Sequence, residues 1–155
     1  MLSIKNLQQH HPNFDLTVSF DVPNGEVVGL IGRNGAGKST TFRAILNLIQ
    51  PDAGELTLFG SSVDQLTPVQ KQKIGTTFTD SFFAESFTIT QIAKILTASY
   101  QDFEPDTFLK ACQAQQLPLT KAHKQFSTGM KAKLKLLVAM SHQAQFLLLD
   151  EPPVV

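Results

Sequence analysis

The amino-acid sequence predicts an α/β fold with a helical insert, and three patterns support this prediction. An apolar run at 27–31 precedes a glycine-rich stretch, which leads into apolar residues at helical spacing. From about residue 88 the apolar residues repeat with a helical period. Near the end of the chain, Phe146–Leu149 is an apolar run of strand length, followed by two acids. The predicted order is therefore strands, one strand–loop–helix unit, further helices and a final buried strand.

The first part of the chain is predicted to be rich in β-strands. Phe14–Val22 alternates apolar and polar residues without a break, which is the period of a half-buried strand. Pro23-Asn24-Gly25 then predicts a turn. The run at 27–31 is apolar throughout, as is typical of a strand covered on both faces. Two shorter strands are expected at 55–59 and 74–78.

Helices are predicted where apolar residues recur every three or four positions. The first helix should follow the glycine-rich stretch and end before the turn-forming residues at 51–54. The four apolar stripes are Phe42, Ile45, Leu46 and Ile49; Ile89, Ile92, Ile95 and Leu96; Phe108, Leu109 and Cys112, behind Pro105; and Leu134, Leu137, Val138 and Ser141.

Composition narrows the class of protein. The 155 residues are enough for one domain, and 13 basic against 13 acidic residues leave a formal net charge of zero. That balance does not favour a nucleic-acid partner or an anionic membrane surface. No apolar run approaches the roughly 18 residues of a membrane helix, and the start lacks the layout of a signal peptide. A single cysteine, Cys112, excludes a disulfide framework and fits a reducing, cytosolic compartment.

The glycine-rich stretch matches the phosphate-loop pattern G-x-x-x-x-G-K-[ST] over its full length. Glycines let backbone N–H groups approach phosphates closely, and a helix that starts beside them adds its positive dipole end. Lys38 would reach the outer phosphates, and the Ser39 hydroxyl would coordinate magnesium. An accidental glycine-rich turn would not need a strand before it and a helix after it. The nucleotide-binding residues predicted here are Gly32, Arg33, Asn34, Gly35, Ala36, Gly37, Lys38, Ser39 and Thr40.

Two acids follow the final apolar run. A carboxylate at the carboxyl end of a parallel strand lies where α/β sheets bind ligands. Asp150 would hold magnesium, directly or through water, and Glu151 would orient the attacking water. A strand that simply runs out into an acidic turn is the alternative for this pair taken by itself.

The segment 126–131, with the sequence Phe-Ser-Thr-Gly-Met-Lys, stands ahead of a predicted helix and about twenty residues before Asp150. It resembles the signature motif of the ATP-binding domains of ABC transporters. The residues at 150–152 resemble the acidic motif of that family, and 25–32 resembles its entry into the phosphate loop. The resemblance covers practically the whole chain. Ser127 also suits a helix N-cap, which would present its hydroxyl and nearby N–H groups at the helix start.

The resemblance implies a P-loop NTPase core with an antiparallel N-terminal β part and a helical insert. It implies one ATP-binding domain over 1–155, with a β-rich and phosphate-loop part at 1–87, the insert at 88–125, and the signature helix and acidic strand at 126–155. The family's further C-terminal strands, its D-loop and its switch histidine would be missing after Val155.

The resemblance also implies the ligands, partners and roles of the site. The ligands would be ATP and Mg²⁺, with Lys38 and Glu151 catalytic and Ser39, Asp150 and Thr79 at the metal. Ser127 and Gly129 would act on the nucleotide of a second ATP-binding domain in a head-to-tail dimer. A membrane-spanning permease on another chain would hold the protein at the cytoplasmic face of the membrane, with no nucleic-acid partner.

Several positions depart from the family pattern. Adenine stacks on an aromatic residue in the family; His11 aligns there, Phe14 is nearby, and both stay open. Thr79 stands where glutamine is usual, and neighbouring Asp80 is an alternative for its role. The resemblance implies ATP binding and hydrolysis that power an ABC transporter, with this chain as its cytoplasmic ATPase subunit. The alternative function is a nucleotide-binding module with little or no turnover, because the switch histidine and D-loop would be absent. A soluble ABC protein without a membrane partner would normally show two such domains and strong basic patches, and neither is found here.

Overall fold

The structure is a computed structural model that describes residues 1–11, 14–77 and 83–150, with only the backbone described at residue 11. The chain divides into two compact units, Met1–Gln70 and Lys71–Val155. None of the helices in the described ranges has the length and apolar character needed to cross a membrane. The single-domain organisation with subregions 1–87, 88–125 and 126–155 stays a prediction.

The first unit contains a four-stranded antiparallel sheet in the order β2-β1-β3-β4. This confirms the antiparallel N-terminal part, and the predicted strand at 14–22 is found with its expected bounds. The strand expected at 55–59 runs instead from 53 to 58, because Phe59 adopts a positive φ of 56° and turns the chain. The strands are β1 (Leu2–His11), β2 (Phe14–Val22), β3 (Ala53–Leu58) and β4 (Ser61–Ser62).

The central strand β1 was not among the strands that the apolar pattern predicted. Its pairing register shifts between Ile4 and Leu7, where Asn6 has a positive φ of 49°. This irregularity changes the phase of the strand, so that Ile4 and Leu7 are both buried although they are three residues apart. A strict two-residue alternation therefore misses the strand.

Residues 27–31 correct the sequence prediction. No strand is assigned there, and no strand pair among the described residues includes this segment. Val27 is 100% exposed and Ile31 is 95% exposed, so the predicted buried strand is wrong for this structure. An apolar run becomes a buried strand only where neighbouring strands pair with it and other elements cover its faces.

The helix that follows the glycine-rich stretch is α1 (Lys38–Ile45), which is shorter than its apolar stripe predicted. Asn47 adopts a positive φ of 54°, and the N–H of Leu48 donates to the carbonyl oxygen of Arg43 at 2.8 Å. This left-handed residue closes the helix before Ile49. The first unit also contains a 3₁₀ turn, Val63–Gln65. The four-residue helix α2 (Pro68–Lys71) begins just before the end of this unit.

The second unit contains two parallel strands, β5 (Ile74–Thr77) and β6 (Phe146–Leu149). The bounds of β6 are those predicted, and β5 agrees with the prediction up to residue 77; residue 78 lies outside the described residues. A Cβ atom on Gly75 would lie 2.0 Å from the carbonyl oxygen of Ala139. Glycine is therefore required at this position for the helix Thr128–Met140, which contains Ala139, to pack on β5.

Three helices form the core of the second unit: α3 (Ile89–Ser99), α4 (Pro105–Ala114) and α5 (Thr128–Met140). Pro105 occupies the first turn of α4, as predicted. Thr88 and Gln91 form a capping box at the start of α3. Cys112 is fully buried, in agreement with its place in a predicted apolar stripe, and burial raises the pKa of its thiol to about 12, which keeps it protonated.

Candidate nucleotide-binding site

The glycine-rich loop ends directly at the start of α1, as the motif predicted. Gly37 is the N-cap residue, with a left-handed backbone (φ 88°, ψ 9°) and no side-chain cap on the helix. Its carbonyl oxygen accepts hydrogen bonds from the backbone N–H of Thr41 at 2.8 Å and from the Thr41 hydroxyl at 3.0 Å. Since no side chain caps the first turn, its N–H groups suit an anionic ligand.

The side chain of Lys38 turns back over this loop. Its ammonium donates to the carbonyl oxygens of Gly32 at 2.7 Å and Arg33 at 3.1 Å. A second turn within the loop joins the N–H of Ala36 to the Arg33 carbonyl oxygen at 3.1 Å. The positive charge of Lys38 therefore lies beside the loop backbone, within reach of a phosphate group held there.

The two candidates for the adenine contact lie at the β1–β2 hairpin. His11 is the last residue of β1 and pairs with Phe14, but the side chain of His11 lies outside the described residues. Phe14 is half-buried, and its ring atom Cε2 is 3.3 Å from the position that a Cβ on Gly37 would occupy. Phe14 therefore contacts the phosphate loop itself.

In the second unit, Asp150 follows β6 at the end of the parallel pair. Its N–H donates to the carbonyl oxygen of Thr77, the last residue of β5, at 3.0 Å. Parallel pairing places the carboxyl ends of both strands at one edge of the sheet. The predicted site residues Thr79, Asp80 and Glu151 lie outside the described residues.

The start of α5 carries the signature-like residues. Ser127 is its N-cap residue, and the Ser127 hydroxyl accepts a hydrogen bond from the N–H of Met130 at 3.2 Å, which confirms the predicted cap. Ser127, Thr128 and Gly129 are exposed, and a Cβ on Gly129 would meet nothing within 4 Å. Phe126, just before them, is buried in the helical core. The residue before the helix is therefore packed in the core, while the first residues at the helix start are exposed to solvent.

One buried residue near this helix was missed. His123 was not among the residues that the apolar pattern or the motifs predicted, yet it is only 4% exposed. Its N–H donates to the carbonyl oxygen of Phe87 at 2.8 Å, so the 3₁₀ turn His123–Gln125 is tied to the segment ahead of α3. Burial lowers the pKa of His123, the positive charge of Lys131 adds to this, and Glu85 opposes it. No sequence pattern distinguished this histidine from an exposed one.

The predicted site residues are distributed over both units, with the phosphate loop in the first and Asp150, Ser127 and Gly129 in the second. Among the described residues, no group of three or more His, Cys, Asp or Glu side chains is arranged to hold a metal ion.

Comparison with known proteins identifies the family. Residues 16–154 match the family described as ABC transporter. The chain is 33% identical over 135 residues to the ABC transporter ATP-binding protein YtrB of Bacillus subtilis. The aligned region covers 87% of this chain and 46% of that protein. It is 30% identical over 161 residues to the linearmycin resistance ATP-binding protein LnrL of the same organism, covering 99% of this chain and 52% of that protein.

Solved structures agree with this assignment. An ATP-binding subunit of an ABC transporter superimposes with a TM-score of 0.81 at 26% identity, covering 97% of this chain and 66% of the other. A dimeric ATP-binding cassette bound to ADP and Pi has a TM-score of 0.80 at 20% identity, covering 98% and 74%. The fold and site thus define a P-loop ATP-binding domain, and the chain belongs to the ABC transporter family. It spans about half the length of the curated relatives it matches.

Proposed function

We propose that this chain binds ATP with Mg²⁺ and acts as the ATP-hydrolysing component of an ABC transporter. The observation that carries the proposal is the start of α1, where Gly37 caps the helix without a side chain and the Lys38 ammonium lies over the loop. This arrangement combines backbone donors, the positive helix end and a mobile cation at one place. Membership of the family supports ATP as the phosphate ligand.

Each proposed residue has a separate task. The N–H groups of the loop would hold the phosphates, and Lys38 would exchange its two loop carbonyl oxygens for phosphate oxygens. Mg²⁺, when bound, would neutralise phosphate charge, with Ser39 and Asp150 as the residues that would hold it and Thr79 or Asp80 as a further contact. Glu151, proposed from the sequence alone, would orient the attacking water.

The proposed partners follow from the exposed start of α5. Ser127 and Gly129 lie at an open helix end, which suits contact with the nucleotide of a second ATP-binding domain docked head to tail. The dimeric structural neighbour supports such a pairing. A permease on another chain would hold the domain at the cytoplasmic face of the membrane, and the relatives named as transport proteins support that partner.

The second candidate function is nucleotide binding with little turnover. It is favoured by the exposure of 27–31, the segment that leads into the loop, because no strand among the described residues holds it. A reacting group misplaced by about 1 Å can cost on the order of a hundredfold in rate. Binding of phosphates by the loop itself tolerates such a displacement better than in-line attack by water does.

The two candidates are separated by measuring binding and turnover on the same sample. Titration with a fluorescent ATP analogue and Mg²⁺ should saturate, and phosphate release with excess MgATP should then be compared with that of Glu151→Gln. Turnover that the substitution abolishes supports the ATPase. Binding with phosphate release equal in both forms supports the binding module. Absence of saturable binding would contradict both.

A further inference from the structure

We propose that Phe14 and Leu16 of β2 are positioning residues for the phosphate loop, and that the Phe14 ring supports the loop rather than serving as the platform for adenine. This inference rests on the proposed function, since it concerns how the loop is held for ATP. It follows from contacts within the first unit, where β2 and the loop both lie.

The contact is made at Gly37. A Cβ atom at this position would lie 2.8 Å from Leu16 Cδ1, 3.3 Å from Phe14 Cε2 and 3.4 Å from Leu16 Cδ2. Gly37 is itself buried, and Leu16 is only 9% exposed. The two side chains of β2 therefore pack directly against the backbone of the last glycine in the loop. The positive φ of 88° at Gly37 requires glycine, and the missing side chain leaves room for Leu16 and Phe14 to approach.

Gly37 also determines the geometry of the loop. It is the N-cap residue of α1, and its carbonyl oxygen accepts two hydrogen bonds from Thr41. The orientation of this one peptide unit sets the direction of the first N–H groups of the helix and of Lys38, the next residue. Packing of Phe14 and Leu16 on Gly37 thus acts on the phosphate donors without touching the nucleotide.

A matched ligand pair separates this role from adenine stacking. Inorganic tripolyphosphate carries the phosphates of ATP without the base. Phe14→Ala should weaken binding of Mg-ATP and Mg-tripolyphosphate by the same factor, on the order of tenfold, in a calorimetric titration. Phe14→Leu, which restores apolar volume without an aromatic face, should recover most of the affinity for both ligands. A stacking residue would give the opposite result: ATP alone would bind more weakly, and leucine would not rescue it.

Phe20→Ala is the matched control. Phe20 is also half-buried, lies on the same face of β2, and is six residues away, or about 20 Å along a strand. Its removal should lower the stability of the sheet but leave the affinities of folded protein for both ligands unchanged. Leu16→Val is a milder change than alanine in a buried position. Like Phe14→Ala, it should lower the affinities for both ligands by the same factor.

The outcomes of this experiment distinguish the inference from the proposed function. If the unmodified chain binds neither ligand, the proposed function itself fails. If the unmodified chain binds both and Phe14→Ala leaves both affinities unchanged, or if Phe20→Ala weakens them as much, only the positioning role is overturned. A loss confined to ATP would assign Phe14 to adenine.

Discussion

The N-terminal ends of helices α1 and α5 differ in how their free backbone N–H groups are capped. Both present backbone N–H groups and a positive dipole end. At α5, the hydroxyl of Ser127 accepts a hydrogen bond from one of these groups, the N–H of Met130. At α1, the N-cap residue is Gly37, and no side chain caps the helix. One N–H group at the start of α5 is therefore satisfied by a side chain of the protein, whereas the first turn of α1 has no side-chain cap.

The two helix starts also differ in what holds them. The residues before α5 include the buried Phe126 and His123, which belong to the packed interior of the second unit. The residues before the phosphate loop are the exposed segment 27–31. The far end of the loop, at Gly37, packs against β2. A helix start anchored in a core keeps its geometry without a ligand, and one entered from an exposed segment depends more on what binds it.

The largest expected effect is on nucleotide binding. Lys38→Ala should weaken MgATP binding by about tenfold to a hundredfold, because a hydrogen bond to a charged group contributes about 1.5–3 kcal/mol. Arg43→Ala, which removes one positive charge from the last turn of the same helix, should have little effect. Equal losses in the two variants, measured by fluorescent-nucleotide titration, would contradict a specific role for Lys38.

The exposed segment 27–31 should promote self-association at micromolar concentration, since apolar residues without strand partners favour pairing between chains. Replacing Val27 and Ile31 by lysine should shift light scattering toward the monomer mass. Val69→Lys is the matched control, because Val69 is apolar and 55% exposed elsewhere in the first unit. A chain that is already monomeric before substitution would refute this prediction.

Replacing Ser127 and Ser39 by alanine, one at a time, tests whether the first serine stabilises its helix and the second serves ligand binding. Ser127→Ala should lower the free energy of unfolding by about 1 kcal/mol, the usual cost of losing an N-cap side chain, with MgATP affinity of the isolated chain unchanged. Ser39→Ala, at an exposed position in the first turn of α1, should change stability by less than about 0.5 kcal/mol but weaken Mg²⁺-dependent binding. Chemical denaturation and titration of both variants would reveal any reversal of this pattern.

The smallest effect concerns acid stability near α5. Burial lowers the pKa of His123, so the folded protein holds it neutral while the unfolded chain takes up a proton near the ordinary value of 6.5. Stability from this group is therefore complete above that pH and declines as the pH falls below it. His123→Gln should flatten the decline in the free energy of unfolding, measured with urea. Parallel pH profiles for the parent chain and His123→Gln would disprove the buried-neutral assignment.

Features that depend only on residues close together in the chain could be predicted from the sequence. The period of Phe14–Val22 predicted β2 at its observed bounds, and Phe146–Leu149 predicted β6. Pro105 and Ser127 marked helix starts because their effects act within one turn. The phosphate loop was likewise readable, since its glycines, lysine and helix start are consecutive in the chain.

Features that depend on residues far apart in the chain could be seen only in the three-dimensional structure. The apolar run at 27–31 looked like a buried strand, but burial requires partners that no local pattern specifies. The irregularity at Asn6 concealed β1, and the parallel pairing of β5 with β6 joins residues about seventy positions apart. The packing of Phe14 and Leu16 on Gly37 belongs to the same class. Local propensity and motif spacing are properties of a short segment, whereas packing and strand pairing arise only when distant segments exclude water together.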